Sequence, residues 1–184
     1  MKELPRLETA RLVLRPFELA DAPAVQRLAG DWAVAATTLN VPHPYEDGMA
    51  EEWIGTHRAK FERREQVTLA VILRETGGLI GAMGLVLNLR FERAEVGYWI
   101  GKPYWRNGYA TEAARAVLKY GFEELKLNRI HATHIARNPA SGRVMQKIGM
   151  KHEGCLRQHT RRWDRFDDIM CYAILKDEYV RNRQ

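Results

Sequence analysis

The spacing of apolar positions changes several times along this chain, and each change marks an element. From Ala110 onward, small or apolar residues recur as Ala113, Ala114, Val117, Leu118, Gly121, Phe122 and Leu125, the i, i+3, i+4, i+7 spacing of a one-sided helix. Such a helix packs on a sheet, and residues 95–100 before it read as a strand. Upstream, residues 11–17 alternate as a first strand. Asp21-Ala22-Pro23 then reads as a helix start, with Asp as cap and Pro in the first turn, predicting a short helix to about Gly30. Residues 31–44 hold Asn40 and two prolines and are expected to loop out. The next helix begins near Glu46 or Asp47 and carries Met49, Trp53, Ile54, His57 and Phe61 on roughly one side. Residues 67–73 and 79–89 flank the turn Glu75-Thr76-Gly77-Gly78 as a hairpin.

After the long helix, residues 129–136 form another strand. A helix joins it to residues 95–100, so the two should run parallel with a right-handed crossover, and a pair whose ends splay would admit a ligand. Residues 138–148 are a short helix with Asn138 as cap, Pro139 first and Gly149 as stop. Residues 151–163 and 166–175 close the chain as a hairpin. The element order reads as α/β with a mixed sheet.

The turn Trp105-Arg106-Asn107-Gly108-Tyr109-Ala110 is where chemistry first enters. The opening N–H groups of a helix have no partner inside it, and with the positive end of the dipole they form a seat for phosphate. Gly108 permits a tight turn and Ala110 offers little to obstruct a ligand. The competing reading is that Asn107 or Thr111 simply caps the helix.

Composition narrows the classes. A chain of 184 residues, 46% apolar, supports one buried core and is short for two, so one domain over residues 1–184 is expected. No apolar run of about eighteen residues exists and the first residues lack a signal-peptide core, so a soluble, cytoplasmic protein is expected, without membrane partners. Cys155 and Cys171 make no disulfide framework. With the last turn near Asp164, Cys155 should face a position near Ile174, which makes Cys171 no neighbour and both thiols free. No His/Cys cluster has metal-ligand spacing, and no metal is expected. A formal charge of +6 steers anionic partners toward the surface. The basic residues are scattered outside any nucleic-acid-binding motif, so nucleic acid is not an expected direct partner.

A second segment, Asn138-Pro139-Ala140-Ser141-Gly142-Arg143-Val144-Met145-Gln146-Lys147-Ile148-Gly149, decides how the turn is read. Together the two segments resemble the GNAT superfamily of acetyl-CoA-dependent N-acetyltransferases. The family's pyrophosphate segment has the form Gln/Arg-x-x-Gly-x-Gly/Ala. Gly108 and Ala110 match it, while Trp105 stands in the opening position, as in the branch resembling ribosomal-protein N-terminal acetyltransferases. The second segment is similar to that branch's Asn-x-x-Ser-x-Arg-Val-Met/Leu-x-Lys-x-Gly pattern, and residues 7–17 look like its first strand.

The resemblance implies a seven-stranded, mostly antiparallel sheet with a splayed central parallel pair and about four helices, and coenzyme A as partner. It implies that Arg106, Asn107, Gly108, Tyr109, Ala110 and Thr111 hold the pyrophosphate, with Arg143 and Lys147 reaching phosphates. The pantetheine arm would pair with the backbone of Trp99 and Ile100, and the Ile100 N–H would face the thioester oxygen. Tyr98, Trp99 and Ile100 also read as ordinary core residues. Many family members protonate the leaving sulfur with a Tyr seven residues after the Asn. Here that residue is Met145, and the branch's serine, Ser141, takes the place beside the sulfur. Its bland role is a first-turn helix residue. Asn138 would both cap the helix and contact the pantetheine.

A base must take a proton from the acceptor amine: Glu95, on the strand before the turn, is the first candidate, and His134 or a water the others. Arg157, Arg161, Arg162, Arg165 and Trp163 either shape the acceptor entrance or form a solvated hairpin tip, and residues 41–45 with the helix after them form the other wall. The expected acceptor is the N-terminal α-amino group of a protein or peptide. A small amine such as an antibiotic, polyamine or amino acid is the alternative, and a coenzyme A-binding module without turnover the third reading. A homodimer is compatible with all of these.

Overall fold

The computed structural model describes residues 3–181. Eight strands form one sheet: β1 (Leu7–Glu8), β2 (Leu12–Arg15), β3 (Gln66–Leu73), β4 (Leu79–Asn88), β5 (Arg93–Ile100), β6 (Arg129–Ile135), β7 (Lys151–Arg162) and β8 (Arg165–Leu175), ordered β1-β2-β3-β4-β5-β6-β8-β7. Six α-helices accompany them: α1 (Ala22–Ala29), α2 (Trp32–Ala35), α3 (Met49–Glu62), α4 (Tyr109–Lys119), α5 (Pro139–Lys147) and α6 (Lys176–Arg181). The sheet exceeds the expected seven strands by β1, two residues folded back on β2 through a turn in which Thr9 N–H donates to Leu12 O. The helix count exceeds four because α2 is a single turn inside the expected loop and α6 follows the last strand.

Every neighbouring pair is antiparallel except β5 and β6. Those two strands pair in parallel only over Arg93–Glu95 against Arg129–His131, although β5 continues to Ile100 and β6 to Ile135. Beyond Glu95 they splay.

Both faces of the sheet are covered, which explains why β3 is buried without a break from Val67 to Leu73. One core joins Ala94, Val96, Ile130 and Ala132 to Ala113, Ala114 and Val117 of α4 and Met145 of α5. The other joins Trp99, Ala82 and Ile72 to Val25 of α1 and Ile54 of α3. The α4 apolar stripe is real, but the helix ends at Lys119 and continues as one π-helical turn over Tyr120–Glu124. Gly121 packs closely there: a Cβ would lie 2.6 Å from Ile130 Cδ1, so a larger residue would have to displace the end of that side chain.

The closing hairpin corrects one expectation. Between Leu156 and Thr160 strand β7 bulges, so Cys155 pairs with Met170 rather than a residue near Ile174, and Cys171 pairs with Gly154. Cys171 thus adjoins the register partner of Cys155 but points to the other face of the sheet, and both are free thiols. A hairpin counted from its turn alone misses the bulge.

Candidate active site

At the start of α4 the chain turns through Arg106 and Gly108, both in the left-handed region at φ 64 and 82. Among the described residues no side chain caps this helix, so the capping alternative is not realised. Asn107 Nδ2 instead donates back to Trp105 O at 3.0 Å, and Thr111 stays free of the cap. Trp105 braces the turn by donating its indole N–H to Ile100 O at 2.6 Å. Arg11, which sequence reasoning passed over, lies beneath: it donates to Asn107 O at 3.1 Å, stacks on Tyr109 at 4.7 Å and pairs with Glu112 at 2.7 Å. The turn is thus held from below while Arg106, Asn107 and Gly108 face solvent.

The α5 helix opens beside the splay. Asn138 caps it, its Oδ1 accepting from Ser141 N at 3.3 Å, while its Nδ2 donates to Thr37 O at 3.1 Å. Ser141 Oγ lies 2.8 Å from the hydroxyl of Tyr98, which reaches across from β5. Arg143 and Lys147 point outward one turn apart on α5, and Arg115 of α4 ties the far end by donating to Lys147 O at 3.1 Å.

Strand alternation separates two sides of the splay. Tyr98 shares the α4/α5 face with Ala94 and Val96, whereas Glu95 shares the opposite face with Trp99. Glu95 accepts from Thr133 Oγ1 at 3.0 Å and faces His131 Nε2 at 3.9 Å, so a carboxylate is fixed across the strands where they begin to part. Burial lowers the His131 pKa, an effect that Glu95 opposes. Neither partner was singled out in the sequence, yet His131 is Glu95's register partner. His134 lies on the other face. Its Nδ1 contacts Ile135 O at 2.8 Å and its Nε2 is buried against Gly142, where a Cβ would sit 2.7 Å away. Trp99 and Ile100 are both buried, as a core reading of their side chains requires.

The loop after α2 is fastened to this site by two arginines. Arg137 donates to Ala36 O and pairs with buried Asp167 at 3.0 Å, and Arg162 donates to the carbonyls of Thr38 and Val41. Desolvation first, then the nearby Arg137 charge, lowers the Arg162 pKa. Beyond them Trp32 packs on Trp163 at 4.9 Å and on His43 at 5.0 Å, with the two indoles 50% and 38% exposed. At the hairpin tip Arg162 and Trp163 are engaged with the loop after α2, whereas Arg157, Arg161 and Arg165 are exposed. Bonds from a charged donor contribute about 1.5–3 kcal/mol each, so Arg162→Met is expected to speed amide exchange in residues 36–41 at least about tenfold with the sheet unaffected. Unchanged exchange would show that the loop holds its own shape.

An open groove of about 720 Å³ lies along the β7 bulge, lined by Cys155–His159 and Asp168; it includes Arg157 of the acceptor-entrance candidates and borders none of the expected cofactor-binding or catalytic residues. Among the described residues no group of three or more His, Cys, Asp or Glu could hold a metal.

Residues 11–151 match the family model described as "Acetyltransferase (GNAT) domain". The chain belongs to this family. It is an N-acetyltransferase of the GNAT type, and acetyl-CoA is its acetyl donor. The GNAT chain is 34% identical to the "Uncharacterized N-acetyltransferase YoaA" of Bacillus subtilis over 94% of its own length and 97% of the relative's. It superposes on a crystal structure of a GNAT acetyltransferase from Bacillus anthracis with TM-score 0.83 and 32% identity, covering 94% of this chain and 99% of that one. It is also 31% identical to the ribosomal-protein-serine acetyltransferase of Escherichia coli over 84 residues, 46% of this chain and 47% of that protein.

Proposed function

We propose that this N-acetyltransferase acts on the N-terminal α-amino group of a protein or peptide, as a single cytoplasmic domain spanning residues 1–184. The observation that carries this reading is the rim of the acceptor side. Trp32, His43 and Trp163 make an exposed aromatic platform backed by Arg137 and Arg162. Exposed indoles in contact with one another suit an extended peptide, and the guanidinium of Arg162, whose partners are carbonyls, repels a polycation. The partial likeness to a ribosomal-protein-serine acetyltransferase supports the same choice.

In this reading the uncapped amides of Gly108, Tyr109, Ala110 and Thr111 hold the diphosphate of coenzyme A, with Arg106 and Asn107 on the turn and Arg143 and Lys147 on α5 adding donors. The pantetheine arm enters the splay and pairs along Trp99 and Ile100, and a backbone N–H there polarises the thioester carbonyl. The amine arrives from the opposite face, where Glu95, directly or through water, takes its proton. The thioester supplies the activated acetyl group: the C–N bond forms, the C–S bond breaks, and the electron pair stays on sulfur. Ser141, held by the Asn138 cap at the positive end of α5, hydrogen-bonds that sulfur.

Thiol release from acetyl-CoA should be fast with peptides bearing a free Ala or Ser N-terminus, and each product should gain one acetyl group by mass. Spermidine should turn over at least about tenfold less efficiently. Faster turnover of spermidine than of every peptide would overturn the acceptor assignment and leave the acetyltransferase assignment standing.

A further inference from the structure

Ser141 is not alone at its post. The Tyr98 hydroxyl lies 2.8 Å from Ser141 Oγ and 3.3 Å from Ser141 O, so the phenol has two acceptors on one residue. This contact spans 43 positions of sequence and crosses the very gap that opens between β5 and β6. The two acceptors define two arrangements. When the Tyr98 proton points to Ser141 O, the serine hydroxyl can donate to the phenol oxygen. When it points to Ser141 Oγ, it occupies a serine lone pair, and the serine hydrogen is free to turn elsewhere.

We propose that Tyr98 is a positioning residue for Ser141: by donating to Ser141 Oγ it frees and orients the serine hydrogen toward the leaving sulfur. This rests on the reading that Ser141 meets that sulfur. A negative sulfur favours the second arrangement, because the chain phenol to serine to thiolate then runs donor to acceptor throughout and each bond strengthens the next. Burial pushes the Tyr98 pKa up to about 12, so the phenol stays protonated and acts as donor over the neutral range. Tyr98 gives up no proton in this scheme. The amine proton goes to Glu95 or its water, the electron pair of the broken C–S bond remains on sulfur, and solvent supplies the proton of the free thiol. The position seven residues after Asn138 cannot serve instead, since Met145 there is 1% exposed and belongs to the core.

The test is a kinetic cycle with Tyr98→Phe, Ser141→Ala and the double variant, reading kcat and the KM for acetyl-CoA, with thermal melting as a check on folding. Loss of one oriented hydrogen bond should lower kcat about tenfold in each single variant, with KM for acetyl-CoA within about twofold. The double variant should be no slower than Ser141→Ala, because Tyr98 has nothing to orient once the serine hydroxyl is gone. Tyr98→Met, run in parallel, removes the phenol with a different shape and should give the same pattern. Effects that multiply in the double variant, or wild-type kcat in a folded Tyr98→Phe, would overturn the proposal. Wild-type kcat in Ser141→Ala would instead remove the serine reading itself.

Discussion

Thr111→Glu raises the KM for acetyl-CoA on the order of a hundredfold while leaving the protein as stable as before or slightly more so. The two effects oppose because the same feature drives both. Thr111 is the third residue of α4, after Tyr109 and Ala110, and no described side chain caps the amides there. A carboxylate in the first helical turn interacts well with the dipole, contributing about 0.3–1 kcal/mol, so the folded state does not suffer. The same carboxylate about 6 Å from a diphosphate of about two charges, at an effective dielectric near ~40, costs about 3 kcal/mol, which is roughly a hundredfold in affinity. Thr111→Gln, with the shape and no charge, should shift KM only a few-fold, and added salt should narrow the gap between the two variants. Equal KM values for the Glu and Gln variants would take the diphosphate away from this turn.

That result depends on a strand-to-helix turn whose features are visible in the sequence because they are local. The stripe from Ala113 to Leu125, Gly108 at a left-handed φ and the Asn138-Pro139 start of α5 are each determined within a few residues, and they fold as their spacing implies. Glu95 and Ser141 are singled out in the sequence by place in the strand order and by motif, and the fold sets them at the two sides of the splay. What escaped is long-range. Tyr98 reads as one more aromatic in an apolar strand until β5 and α5 are brought together, and only then does its hydroxyl find Ser141. Thr133 and His131 join Glu95 through a parallel register that depends on the whole of α4 to set it. Arg137 and Arg162 look like two more surface cations in a basic chain, yet their partners are carbonyls of the loop after α2, more than a hundred positions away. The cysteine register failed for a related reason: the β7 bulge follows from how that strand pairs with β8, and no turn residue announces it.

The largest stability effect concerns a residue that chemistry does not use. His57 of α3 is 5% exposed, its two ring nitrogens have no hydrogen-bond partner among the described residues, and it packs on Trp53 at 4.5 Å and Phe17 at 5.3 Å. Burial among apolar groups, aided by the Lys60 charge, lowers its pKa from 6.5 to about 4. Between those values the unfolded chain binds a proton that the folded chain refuses, so stability rises with pH across this window and is lost as pH falls through it. At about 1.36 kcal/mol per pKa unit the loss between pH 7 and pH 4.5 is about 2.5 kcal/mol. The Asp21–Arg15 pair adds little in this window, because that carboxyl is held below its usual value of 3.8 and its contribution disappears only at lower pH, but glutamates such as Glu153, held below 4.5 beside Arg129, add a slope of the same sign near the lower limit. His131, also lowered by burial, adds a smaller slope of the same sign. In urea titrations at the two pH values, His57→Leu should therefore lose the His57 share of the slope and keep the shares of His131 and of the glutamates whose pKa is lowered. It should be no less stable at pH 7, because it removes two buried nitrogens that bond to nothing. Identical losses in wild type and variant would mean that His57 reaches water or a partner in solution.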